Sequence, residues 1–166
     1  MLLIEGIYLL LGTNLGNRPA NLREARQQVE RLAGKVMNAS AYYESEAWGV
    51  MNQPNFYNQV LQIETELEHE PLLRTLQSIE QQMGKVKLGH WRERLIDIDL
   101  LYYRNRRANT AFLTLPHPQI PYRRFTLAPL CEIAAERIHP VLYQTHQQIL
   151  TQCPDPLHVW IIPEGK

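Results

Sequence analysis

Asp97 and Asp99 stand one residue apart in the otherwise apolar run LIDIDLLYY. If that run is a strand, its side chains alternate between faces. Both carboxylates then point the same way, with Cα atoms ~7 Å apart, while Ile96, Ile98 and Leu100 point the other way. Like charges at this range repel unless a cation lies between them or a Lys or Arg neutralises one. Carboxylate oxygens suit hard ions, and a Mg²⁺ held by one or two carboxylates completes its shell with water and substrate phosphates. The spacing alone also suits a structural carboxylate–Arg cluster, the commoner arrangement for such a pair.

The neighbourhood in sequence bears on that choice. Residues 44–80 hold seven glutamates against Arg74, whereas residues 85–124 hold nine Lys/Arg against Glu93, Asp97 and Asp99. A basic stretch around two aspartates suits a polyanion held together with divalent metal, although charge clustering alone also describes a solvated loop surface. Trp48, Phe56, Trp91 and Phe125 lie near loop polar groups that include Asn58. Flat aromatic walls with an amide between them suit a planar heterocycle; for any single residue, ordinary core packing serves as well. His117, between two prolines in LPHPQ, is a phosphate contact or a turn residue.

These residues need a scaffold, and 166 residues with 45% hydrophobic and 20% charged content are enough for a single domain over 1–166 with a sizeable core. The 17 basic and 17 acidic residues cancel, so bulk attraction to nucleic acid or an anionic membrane is not implied. No run approaches a membrane span, and MLLIEGIYLLLG reads as a first strand. Cys131 and Cys153 give neither a disulfide framework nor a CxxC metal motif, so the expected compartment is the cytoplasm.

The periodicities place the elements. Residues 4–11 read as a buried strand, and GTNLGNRP as a turn into a helix with Leu22, Ala25, Val29 and Leu32 on one face and Gly34 as its C-terminal cap. Residues 36–46 and 56–67 have strand composition and are joined by the long loop AWGVMNQPN. A second helix follows from Pro71, with Leu72, Leu76, Ile79 and Met83 buried. The loop KVKLGHWRER then leads into LIDIDLLYY. This order predicts an α+β fold with a ferredoxin-like βαββαβ core, a mainly antiparallel sheet and both helices on one face. A small hairpin in RNRRANTAFLTL, short helices within 127–152 and a closing strand in HVWII would be C-terminal additions.

Four blocks, GTNLGNR, NQPNFYN, HWRERLIDIDLL and LPHPQIPYRRFTLAPLCEIAA, occur in an order and at spacings that resemble the 6-hydroxymethyl-7,8-dihydropterin pyrophosphokinase family of folate biosynthesis, over residues 7–142. The resemblance implies transfer of diphosphate from ATP to the pterin hydroxymethyl oxygen, releasing AMP, with two Mg²⁺ ions on a ferredoxin-like sheet. It assigns the Mg²⁺ ions to Asp97 and Asp99, a catalytic loop to Lys85, Lys87 and Arg94, and ATP contacts to Gln77, Glu80, His117 and Arg123. The pterin would lie between Phe56 and Phe125, hydrogen-bonded by Asn58 and by the segment 45–48 that holds Ser45 and Trp48, with Trp91 closing over it. The implied partners are small molecules, with no nucleic acid or membrane, and a monomer is expected.

The chain also departs from the family pattern. Where an Arg-Trp-Gly-Pro-Arg run is common, it has His90, Trp91, Arg92, Glu93 and Arg94, in a loop one residue shorter than a familiar form. Lys85 and Lys87 replace the usual arginines and lose the bidentate fork. Glu46 replaces a proline, and Trp48 a smaller aliphatic residue. These changes motivate an alternative, a divergent member that binds nucleotide or pterin with lost or changed catalysis. A third reading, an RNA-binding sheet with exposed aromatics, conflicts with aspartates on a central strand face.

Overall fold

The computed structural model describes residues 2–47, 53–84 and 95–163. Strand β1 (Ile7–Thr13) is buried along its whole length, as its largely apolar sequence IYLLLGT requires. Helix α1 (Arg18–Leu32) follows, with Pro19 in its first turn and Asn17 Oδ1 accepting the Ala20 N–H at 3.0 Å. Then come β2 (Lys35–Ala39), β3 (Tyr42–Ser45), β4 (Phe56–Glu64), α2 (His69–Gln82) and β5 (Asp97–Tyr103). The sheet order is β5-β1-β4-β3, with β2 also on β4 and every neighbouring pair antiparallel. This is the predicted ferredoxin-like order with its second strand cut in two.

The cut falls at Ser40–Ala41 and has a local chemical cause. Ser40 Oγ accepts the Val60 N–H at 3.0 Å and donates to the Ala41 carbonyl at 2.7 Å, so the serine side chain replaces a ladder bond. Gln59 Nε2 donates to the Ser40 carbonyl at 2.8 Å. The Ala41 N–H, freed from the ladder, donates to both oxygens of Glu132 at 3.0 and 3.2 Å. Glu132 belongs to α3 (Arg124–Ala134), so the break also docks that helix.

Both core helices lie on one face, as expected: Leu22, Ala25 and Val29 of α1 and Leu72, Leu76 and Ile79 of α2 pack on Ile7, Leu9 and Leu11. The later helices cover the opposite face. There α3 and α4 (His146–Gln152) pack on Tyr8, Leu10, Val60, Leu101 and Tyr102. Strand β5 serves both cores because Leu101 is an extra residue between the pairs Leu9↔Leu100 and Tyr8↔Tyr102. The shift sends Leu101 and Tyr102 to the second core and Tyr103 to the first.

The hairpin is β6 (Ala108–Asn109) with β7 (Thr114–Leu115), and β8 (Val159–Ile162) adds to the sheet against β3. A 3₁₀ turn (Ile120–Tyr122) precedes α3, which starts three residues before the predicted helical stretch. Two expectations fail. Leu32 is 38% exposed, because the buried stripe steps by four from Val29 to Ala33 at the end of α1. The residue capping α1 is Ala33, and Gly34 is needed for a different reason: a Cβ there would sit 2.3 Å from the Glu64 carbonyl oxygen. The absence of a side chain lets the α1–β2 turn lie against β4.

Candidate active site

The second core stops short of one end of the sheet, and that uncovered end carries the polar residues. Register aligns Asn58 of β4, Gly12 of β1 and Asp97 of β5 in one row, with Asp99 beside Leu10. Asp97 and Asp99 share this face, while Ile98 and Leu100 are buried with the α1/α2 core on the other. The strand reading of the two aspartates therefore holds.

Two clefts meet at the aspartate pair. The first, of about 330 Å³, has Gly12 and Asn58 on its floor, Ser45 and Phe56 on one wall, and Arg123 and Phe125 on the other. Its amide is fixed: Asn58 is 4% exposed, its Nδ2 donates to the Leu11 carbonyl at 3.3 Å, and its Oδ1 accepts from Ser45 Oγ at 3.4 Å. A Cβ on Gly12 would lie 2.7 Å from Asn58 Nδ2, so a bare backbone keeps the floor open. The Arg123 guanidinium lies 5.6 Å from the centre of the Phe125 ring.

The second cleft, of about 350 Å³, lies on the other side of Asp97 and Asp99, between α2 and the hairpin. Gln77, Glu80, Thr114 and His117 line it, with Phe112, 79% exposed, on the hairpin rim. Glu80 is buried, and its Oε2 accepts the Ile98 N–H at 3.0 Å. Because Ile98 separates the two aspartates, Glu80 anchors the strand at the pair itself. His117 Nδ1 accepts the Gln119 N–H at 3.1 Å, which places the proton of the neutral ring on Nε2. Burial lowers the His117 pKa, the nearby Asp99 carboxylate opposes that shift, and the Arg123 guanidinium reinforces it. His117 follows a cis Leu115–Pro116 bond, and its own N–H donates to the Leu101 carbonyl at 2.9 Å.

The structure thus brings together ten of the sequence-predicted residues, Ser45, Phe56, Asn58, Gln77, Glu80, Asp97, Asp99, His117, Arg123 and Phe125. Those expected for the acceptor fall in the first cleft. Those expected for the nucleotide fall in the second, except Arg123, which lines the first beside the aspartates. Trp48, Lys85, Lys87, Trp91 and Arg94 lie outside the described residues. Among the described residues no three metal-ligating side chains cluster. A pair of strand carboxylates open to two clefts fits a hard cation that takes its other ligands from water and phosphate.

Sequence reasoning missed the supports. Thr13 Oγ1 donates to the Leu95 carbonyl at 2.6 Å, Asn14 Nδ2 to the Pro54 carbonyl at 3.3 Å, and Arg18 Nη1 to the Asn55 carbonyl at 2.7 Å. Arg18 also lies 3.5 Å from Glu44 and 4.2 Å from the centre of the Tyr57 ring. The GTNLGNR block therefore ties β5 and the approach to β4 to one turn. Its polar density was the signal available.

A family model described as 7,8-dihydro-6-hydroxymethylpterin-pyrophosphokinase matches residues 8–135. A Synechocystis 2-amino-4-hydroxy-6-hydroxymethyldihydropteridine pyrophosphokinase is 37% identical over 97% of this chain and 82% of its own length. An Aquifex aeolicus protein of the same name is 38% identical over 81% of this chain and 84% of its own. The folic acid synthesis protein fol1 of Pneumocystis carinii is 39% identical over 82% of this chain, which spans only 18% of that protein. In fold, the chain resembles a Plasmodium falciparum HPPK-DHPS solved with pterin and p-hydrobenzoate, with TM-score 0.72, 17% identity, and coverage of 92% of this chain and 45% of that one. On the sequence matches, the chain belongs to the 7,8-dihydro-6-hydroxymethylpterin-pyrophosphokinase family and is a pyrophosphokinase that takes ATP as its co-substrate.

Proposed function

We propose that the chain transfers the terminal diphosphate of ATP to the hydroxymethyl oxygen of 6-hydroxymethyl-7,8-dihydropterin, in the biosynthesis of folate. The observation that carries this is the aspartate pair shared by two clefts of unlike chemistry. The first cleft suits a flat, hydrogen-bonding heterocycle between Phe56 and Phe125, with the Asn58 amide and the Ser45 segment reading its edge. The second suits the nucleotide, whose base can lie against Phe112 and Leu73 and whose phosphates point to Asp99 and His117.

In the reaction the acceptor oxygen bonds to the β-phosphorus and the bond from that phosphorus to the α,β-bridging oxygen breaks. AMP leaves with the bridging oxygen, and the hydroxyl proton is released. Asp97 and Asp99 would hold two Mg²⁺ ions, which supply neutralisation of the triphosphate charge. Arg123 sits where it can offset charge on the transferring group, and the His117 Nε2–H is available as a neutral donor to a phosphate oxygen. Glu80 fixes the strand between the aspartates, and Gln77 faces the nucleotide side. Lys85, Lys87 and Arg94 would add positive charge toward the phosphates and Trp48 and Trp91 would contribute to pterin binding, as the family resemblance implies; all five lie outside the described residues. Catalysis is then mainly positioning plus electrostatics. A cytoplasmic monomer fits the composition. No helix among the described residues is long and apolar enough to cross a membrane.

The test is incubation with ATP, MgCl₂ and 6-hydroxymethyl-7,8-dihydropterin, with AMP and the pterin diphosphate measured by chromatography. Both products should appear together and only with pterin. The loop departures at Arg92 and Glu93 favour a second reading, binding without turnover, which would show as ATP affinity without either product.

A further inference from the structure

We propose that residues 153–158 form a strap that sets the separation of the two walls of the first cleft, with Asp155 as its positioning residue. The proposal rests on reading that cleft as the acceptor site. Helix α3 begins at Arg124 with no cap from its own N-cap side chain, although Arg123 and Phe125 at this end form one wall. The missing cap comes from a remote residue. Asp155, 4% exposed, accepts the Arg124 N–H through Oδ2 at 2.9 Å, and its charge is favoured at the helix N-terminus. The tie is reciprocal: Arg124 Nη2 donates to the Asp155 carbonyl at 3.0 Å and to the Cys153 carbonyl at 3.3 Å.

The same segment grips the opposite wall. Asp155 Oδ1 accepts the Leu157 N–H at 2.9 Å, which turns the chain toward His158. His158 donates its backbone N–H to Glu46 Oε1 at 3.2 Å, its Nδ1 lies 2.8 Å from that oxygen, and the Glu46 N–H donates to the His158 carbonyl at 3.4 Å. Glu46 lines the first cleft beside Ser45, and Ser45 pairs with Val159 at the start of β8. One short segment therefore bonds both rims of the first cleft and lines no part of the second. A planar ligand between two aromatic walls is sensitive to their spacing, because a small misplacement of either ring forfeits contact along the whole face.

Steady-state kinetics of the purified chain with ATP, MgCl₂ and 6-hydroxymethyl-7,8-dihydropterin test this. Asp155→Ala should raise the pterin KM about tenfold, the effect of losing one cap, while kcat and the ATP KM stay within about threefold. Asp155→Asn keeps one acceptor for Arg124 and should recover part of the loss, and it serves as the folded probe if the alanine variant does not express. Phe125→Ala is run in parallel. If it leaves the pterin KM unchanged, the acceptor reading of the cleft fails. If Phe125→Ala raises the pterin KM but the Asp155 variants only lower the melting temperature, or raise both KM values equally, the strap proposal is overturned.

Discussion

The two clefts share Asp97 and Asp99 but are built differently. The first is fixed from behind, with Asn58 and Ser45 buried and bonded, Gly12 bare for want of room, and both walls tied by residues 153–158. The second is open, with Gln77 exposed, Phe112 79% exposed, and its hairpin wall a two-stranded sheet of its own, separate from the main one. A rigid planar acceptor rewards preorganised shape, whereas a flexible polyanion is held by charge and metal, which tolerate loose walls. Variants should therefore separate acceptor terms from nucleotide terms, except at the shared edge.

That exception gives the largest effect. Asp97→Ala removes a carboxylate common to both clefts and should lower kcat about 10³-fold, with a melting temperature within a few degrees of the parent. Loss of only one substrate's affinity with kcat intact would show that the edge is not shared. Next comes Asn58→Ala, which leaves the buried acceptor edge without its amide. The pterin KM should rise about 10²-fold while the ATP KM holds, measured by varying each substrate in turn. The mirror experiment is His117→Ala, which removes one neutral donor from the open side. It should raise the ATP KM only about tenfold and leave the pterin KM alone. Comparable shifts in both constants for either variant would erase the distinction between the clefts.

The asymmetry also explains what the sequence made legible. Asp97 and Asp99 stand out because carboxylates at i and i+2 in an aliphatic strand share one face, although that spacing alone also suits a structural carboxylate–Arg cluster, and both helix stripes follow from three- and four-residue spacing. The break between β2 and β3 was invisible because the run holds no Gly or Pro; a serine side chain takes over one ladder bond, and its partner is on β4. Asp155 was equally silent. Its partner Arg124 is 31 positions away, and nothing in the sequence around Asp155 points to that tie. Periodicity reports which face is apolar, but the supports of the acceptor cleft are single long-range polar bonds, which leave no period to read.

The smallest effect concerns the packing beneath α3 and α4. Beneath α3 and α4, Tyr102 Oη lies 2.8 Å from His146 Nε2, and His146 Nδ1 lies 2.7 Å from the Ala134 carbonyl. The carbonyl can only accept, so Nδ1 carries the proton and Nε2 accepts from the phenol. His139 packs on the Tyr102 ring, and its Nδ1 accepts the N–H groups of Val141 and Leu142 at 3.1 Å. Burial lowers both histidine pKa values, that of His139 from 6.5 to about 4, with His146 and Arg107 adding to the shift. A folded pKa below the unfolded one means that this stability is fully present above about pH 6.5 and is lost progressively as pH falls toward 4. For His139 the loss is on the order of 2–3 kcal/mol across that window. These rings pack with α3, whose Phe125 walls the first cleft, while His139 also shares a pocket with Thr114, His117 and Pro118 of the second, so acid should weaken pterin and nucleotide binding together, in titrations run separately with each ligand between pH 7 and 4.5. His139→Asn, which removes the titrating ring, should flatten the fall in melting temperature over the same range. An unchanged slope in that variant would place the acid sensitivity elsewhere.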